Sequence, residues 1–150
     1  ARPQLQKTDV HEILGQVKAL LIQKFHAKNL QWKEQFDPSL PPVKADKFQL
    51  QQVFINLALN ALSAMEEKGT GLTIHTSRDG GFALLEFTDD GPGIQKEDLR
   101  KLFVPFFTTK AKGLGLGLSI CHRIIASHDG TIHASGKLGQ GACFSIRLPL

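Results

Sequence analysis

Cysteine is nearly missing: the chain has two in 150 residues, Cys121 and Cys143, each inside an apolar run and not in a paired spacing. That excludes a disulfide framework and makes a reducing, cytoplasmic setting the expectation. No signal peptide and no apolar stretch long enough to span a bilayer is present, so the full-length protein's relation to a membrane stays open. Basic residues exceed acidic ones by enough to give a net charge of +4 and a pI near 9.2. They are scattered, however, with no tight Lys/Arg run beside interleaved aromatics, and nucleic acid is not an expected partner. Internal repeats and low-complexity tracts are absent too.

What is there suffices for one domain with a single core, since 41% of the residues are hydrophobic. Residues 1–8, opening with Ala1-Arg2-Pro3-Gln4, read as the end of a linker from a missing domain, and 9–150 as the folded unit. Asp9 with Glu12 forms a capping-box pattern for a helix over 10–28, with Ile13, Val17, Leu20 and Leu21 at helical spacing. Leu30, Trp32 and Phe36 alternate as a strand before the turn residues Asp37-Pro38-Ser39. Asp46 and Gln49 open a second helix predicted to reach Lys68. Strands are predicted over 71–78 (Leu72, Ile74 and Thr76 on one face) and 82–89. A short helical stretch at Lys96–Leu102 follows. A third helix starts near 115 and stops at Asp129-Gly130, and strands near 131–135 and 142–148 complete the order. Consecutive strands with short turns imply an α+β, two-layer sandwich. Its mixed, mostly antiparallel sheet of about five strands packs on three helices.

Three places carry chemistry. The second helix is almost wholly apolar, yet Asn56 and Asn60 sit in it four residues apart and so on one face. Asparagine is a mediocre helix former, and a buried amide without a partner costs about 1–3 kcal/mol. The pair is either core amides satisfied by backbone or a hard-cation site with an amide oxygen on Mg²⁺. Period two along Phe82–Asp89 puts Asp89 with Ala83, Leu85 and Phe87. If that set faces the core, a carboxylate ends an apolar face and requires donors. Gly91-Pro92-Gly93 follows, so the site is either an ordinary Asp-Gly turn or a place where an acceptor-only carboxylate meets the exocyclic amine of adenine. Gly113-Leu114-Gly115-Leu116-Gly117-Leu118 opens a helix, where free N–H groups and the helix dipole suit an anion. Its spacing is not the Rossmann one, and no Gly-Lys-Ser/Thr occurs for a Walker loop. Between them, Leu102–Lys110 is aperiodic and reads as a lid over 95–112, with Lys110 able to bring a cation to phosphates.

In this order the pieces resemble the four boxes of sensor histidine kinases, of the wider GHKL ATPase superfamily with the Bergerat fold. Asn56-xxx-Asn60 is similar to the N box, Asp89-x-Gly91-x-Gly93 to the G1 box, Phe103-xx-Phe106 to the F box and Gly113–Gly117 to the G2 box. The wording Asn60-Ala61-x-x-Ala64-Met65 looks closest to nitrogen-regulation-like sensor kinases. The resemblance implies that Asn60 ligates Mg²⁺ with Asn56 in support, that Asp89 holds adenine, and that Phe103 and Phe106 anchor the lid. Gly91, Gly93 and Ile94, Lys110, and the run Gly113, Leu114, Gly115, Leu116, Gly117, Leu118 would complete the ATP contacts. Asn56, Asn60 and Lys110 would be the catalytic group. The chain departs from the family at Ser63, where many relatives carry a base, and at Ala142, where Thr or Ser often supports a water near adenine.

ATP-hydrolysing relatives carry a glutamate base four residues before the Mg²⁺ asparagine. Asn56 stands there instead, which favours a kinase that transfers the γ-phosphoryl group to a histidine on a separate helical dimerisation domain, and from there to a response regulator receiver domain. The fragment is expected to be monomeric and the full-length protein homodimeric. A GHKL ATPase and a degenerate nucleotide-sensing module are the competing readings. His11-Glu12 lacks the proline expected of a phospho-acceptor, and His26, His75, His122, His128 and His133 show no metal spacing.

Overall fold

The computed structural model describes residues 2–105, 107, 117–136 and 138–150. Their elements run β1 (Gln6–Thr8), α1 (Val10–Ala27), β2 (Gln31–Gln35), β3 (Val43–Ala45), α2 (Lys47–Ala64), β4 (Gly71–Asp79), β5 (Phe82–Asp89), α3 (Lys96–Leu99), α4 (Gly117–Ser127), β6 (Thr131–Gly136) and β7 (Ala142–Pro149).

A five-stranded sheet in the order β2-β4-β5-β7-β6 forms one layer, and α1, α2 and α4 form the other. All pairings are antiparallel except β2 with β4, which the chain reaches through α2 and which is therefore parallel. The α+β expectation holds, mixed sheet included. Leu72, Ile74 and Thr76 of β4, Ala83, Leu85 and Phe87 of β5, and Phe144, Ile146 and Leu148 of β7 point into the interlayer core. Phe54 of α2 meets Phe87 at 5.7 Å between ring centroids, so the middle helix and middle strands share one contact. Each fully buried Leu, Ile or Phe among these contributes about 1.5–3 kcal/mol. The opposite face of the sheet carries polar side chains such as His75, Glu86 and Ser145, in register across three strands.

Helix starts follow the caps. Asp9 Oδ1 accepts from the His11 N–H at 2.9 Å, without a return bond from Glu12 among the described residues. Asp46 Oδ1 accepts from the Phe48 and Gln49 N–H groups. Three expectations need correction. α2 ends at Ala64 and not at Lys68, because Met65 leaves the helical conformation (φ −98, ψ 21), the Glu66 N–H goes to the Ser63 carbonyl three residues back, and Gly69, at φ +145, packs against the Met65 side chain. Leu20, read as part of the apolar stripe of α1, is 59% exposed. The helical stretch read over Lys96–Leu102 is shorter, Lys96–Leu99, whereas the stop at Asp129-Gly130 holds, with Asp129 left-handed (φ +58) after α4. Gly130 is needed because its backbone passes against the Arg147 carbonyl. The pairing of β1 with β3 was not anticipated; it brings the Gln4 N–H to Asp46 Oδ2 at 2.9 Å.

Candidate functional site

α2 carries Asn56 and Asn60 on the face that looks toward α4, both half-buried. The Asn56 amide donates to the Gly117 carbonyl at 3.5 Å, a long bond that nonetheless joins the middle of α2 to the first residue of α4. One turn on, Asn60 lines a cavity of about 320 Å³ together with Ser63 and Ala64. The two amides are thus not embedded in the hydrophobic core; they open onto the space between α2 and the start of α4.

β5 delivers Asp89 to the same cavity from the sheet side. The alternation held: Asp89 shares the inward face with Ala83, Leu85 and Phe87 and is only 4% exposed. Its Oδ1 accepts from the Gly91 N–H at 2.9 Å. A Cβ on Gly91 would lie 3.0 Å from that oxygen and 3.1 Å from the Ala64 carbonyl, so the tight turn leaves room for no side chain. Gly93, at φ +85, and Ile94 continue the cavity wall. The next carboxylate, Asp90, points away and accepts from the Thr70 and Gly71 N–H groups and the Thr70 hydroxyl. Partial burial raises its pKa, but these donors together outweigh that and hold the carboxyl below its ordinary value. Asp90 clamps the entry of β4 to the exit of β5, which keeps Asp89 in place. The sequence signal for it was only a second aspartate before a glycine.

The remaining walls are apolar. Leu118 of α4, Leu102, Ala142 and Phe144 line the cavity. Phe103 is half-buried, its ring 5.6 Å from His122 and 6.4 Å, edge-on, from Phe144. That packing fixes the described part of the segment read as a lid against α4 and β7. Phe106, Lys110, Gly113, Leu114, Gly115 and Leu116 lie outside the described residues. Gly117 opens α4 beside Asn56, as the third motif required. Ser63 and Ala142, the two departures from the family pattern, both face the cavity.

Some lining residues escaped the sequence reading: Gln95 at the start of α3, Asp98 within it, and Leu138 in the β6–β7 turn. Single polar or apolar residues in turns carry no distinguishing pattern. Other reactive groups are structural. Cys121 is buried against the Val53 carbonyl of α2, and burial pushes its thiol up to about 12, which leaves it inert. His11 stacks on Phe36 with centroids 4.6 Å apart, and its Nε2 lies 2.7 Å from the Thr76 hydroxyl. His128 is buried, accepting the Asp46 N–H on Nε2 at 3.0 Å while Nδ1 sits 2.8 Å from the Ile124 carbonyl.

Residues 45–150 match the family model of histidine kinase-, DNA gyrase B- and HSP90-like ATPases. The chain is 35% identical over 146 residues to the sensor histidine kinase ZraS of Escherichia coli (strain K12), covering 97% of this chain but 31% of ZraS. It therefore spans about a third of that relative's length. The fold superposes on the catalytic domain of histidine kinase ThkA with a TM-score of 0.88 at 33% identity, covering 97% of this chain and 95% of that one. A complex of ThkA with the response regulator protein TrrA gives 0.84 at 30% identity, over 98% of this chain and 42% of that one. Full-length ShkA in complex with AMPPNP gives 0.86 at 33% identity, over 97% of this chain and 31% of that one. With an acidic strand end, a glycine turn and a helix start meeting at one cavity, and with that likeness over nearly its whole length, the chain belongs to the histidine kinase-, DNA gyrase B- and HSP90-like ATPase family, among the catalytic domains of sensor histidine kinases.

Proposed function

We propose that the cavity between α2, β5 and α4 binds Mg-ATP, and that the domain, over residues 9–150, donates the γ-phosphoryl group to a histidine on a separate helical dimerisation domain. The observation that carries this reading is the convergence of Asn60, Asp89 and the Gly91–Gly93 turn on one 320 Å³ cavity, with α4 starting beside Asn56. A buried carboxylate that only accepts hydrogen bonds is suited to the exocyclic amine of adenine. The start of α4 is suited to phosphate, helped by the dipole of an eleven-residue helix. ShkA, a similar protein, was solved with AMPPNP, a triphosphate analogue, which supports the same occupant here.

The residues also fit a divalent ion. Among the described residues no three His, Cys, Asp or Glu side chains converge as a metal cage. An ion at this site would take an amide oxygen from Asn60, with Asn56 in support, and the rest of its ligands from phosphate and water. Bound Mg²⁺ supplies charge neutralisation on the phosphates. This chain's own part is to orient the base through Asp89, hold the phosphates at Gly117 and Leu118 with the preceding Gly113–Leu116 run, and add the Lys110 cation. The lid over 95–112 excludes water so that the phosphoryl group meets its acceptor in line. Asn56 cannot take a proton at neutral pH, so water is not activated from that position.

By this reading residues 1–8 lead in from the helical domain, the domain works in the cytoplasm as a monomer within a dimeric protein, and a response regulator receives the phosphoryl group. ThkA's structure with TrrA supports such a partner. Calorimetric titration of Mg-ADP tests the site. The wild type should bind saturably, Asp89→Asn should lose at least about a hundredfold in affinity through the mispaired base, and the isolated chain should turn ATP over slowly. A folded wild type that does not bind would reject the site, and brisk steady-state hydrolysis would favour an ATPase.

A further inference from the structure

Leu138 occupies the β6–β7 turn and is 65% exposed, yet it lines the same cavity as Asp89. An exposed leucine is ordinary; one fastened over a cavity is not. The turn is pinned from both sides. The Gly139 N–H donates to the Pro92 carbonyl at 2.5 Å, and the Lys68 ammonium donates to the Gly139 carbonyl at 2.9 Å. Pro92 belongs to the turn after Asp89, and Lys68 lies just beyond the end of α2. The turn that carries Leu138 is therefore tied through Gly139 to Pro92 of the cavity wall and to Lys68 beyond α2.

Leu102, Leu118, Ala142 and Phe144 already supply an apolar lining. A flat heterocycle has two faces, and a cavity of 320 Å³ is at the small end for ligand pockets. It suits a base, with sugar and phosphates directed outward. We propose that Leu138 is the outer wall of the base subsite, changing from exposed to buried as it covers the ring that Asp89 selects. This inference rests on the nucleotide reading above. Apolar contact is non-directional, so Leu138 sets how tightly a purine is held while Asp89 sets which one.

Mg-ADP and adenosine are titrated into the wild type, Leu138→Ala and Leu138→Met. The alanine variant should lose about five- to tenfold in affinity for both ligands, since each loses the same contact with the base. Methionine should restore binding to within about twofold, and the melting temperature without ligand should not move, because the side chain is exposed when the cavity is empty. Wild-type affinity in Leu138→Ala overturns the proposal and leaves the nucleotide reading intact. A loss for Mg-ADP but not for adenosine overturns it as well, placing the effect at the phosphates. A folded wild type that binds neither ligand overturns the nucleotide reading itself.

Discussion

Asp46 gathers more of the chain than any motif in the sequence suggested. Its carboxylate takes N–H groups from Gln4, Phe48 and Gln49, and its own N–H goes to His128. The Gln4 N–H is the largest influence holding its pKa below the ordinary 3.8; burial opposes it, and the Gln49 and Phe48 donors, with His128, add to the lowering. A carboxyl depressed on folding gives stability that is fully present above its unfolded value and is lost as pH falls through the folded one. Acid unfolding of the wild type should therefore steepen below about pH 4. In Asp46→Asn that limb should be shallower, with lower stability at neutral pH, as followed by urea midpoints from pH 7 to pH 2.5. An unchanged acid limb would mean that Asp46 does not carry it. At this scale the site was readable where a residue type contradicted its surroundings: amides in an apolar helix, a carboxylate on an inward strand face, glycines at a turn. Leu138 and Asp90 contradict nothing locally, and only the fold gives them a role.

Helices α2 and α4 are bridged at three levels: Asp46 to His128 at one end, Val53 to Cys121 in the middle, and Asn56 to Gly117 at the cavity end. The upper bridge is separable from the lower one. His128→Leu keeps the volume but leaves the buried Asp46 N–H and Ile124 carbonyl without their ring partner, which should cost about 2–3 kcal/mol in urea unfolding. Mg-ADP affinity should stay within about twofold, since the Asn56 end is untouched; a large loss of affinity would instead show that the two ends act together. The starts of α1 and α2 were legible because a cap is a local event, decided within three residues. The end of α2 was not, because Met65 and Gly69 close it by packing against each other. Nor was the β1–β3 pair: three-residue strands are too short to alternate visibly, and their partnership spans nearly forty residues.

For the whole molecule, one core joins every layer, from Leu14 and Val17 of α1 through Phe54 to Ile146 and Leu148 of β7. Among the described residues no part has a core of its own to fall back on, and unfolding should be a single transition. The sole tryptophan makes this measurable. Trp32 sits on edge strand β2, packed edge-on against Phe25 at 5.2 Å and away from the cavity-lining residues. Its fluorescence and the far-ultraviolet dichroism should trace coincident urea curves, and Mg-ADP should move both together. A tryptophan transition that comes first would mean that β2 frays independently. The architecture was legible in outline because consecutive strands joined by short turns, with helices set between the pairs, imply a mostly antiparallel sheet under one helical layer. The parallel β2–β4 contact was not, because which strand lies beside which is decided by the path of α2 across the sheet.

The sheet order has a consequence for how the protein is made. β7, the latest in chain order of the five strands of this sheet, lies between β5 and β6, and both bond to it along their length. Until it leaves the ribosome, β5 has a raw edge with Ala83, Leu85 and Phe87 uncovered on one side, and β6 lacks the strand it pairs with. A nascent chain cannot build this sheet progressively in chain order; it must wait, with a sticky strand exposed, for residues 142–149. Premature termination there would leave an aggregating polypeptide and not a slightly shortened kinase domain.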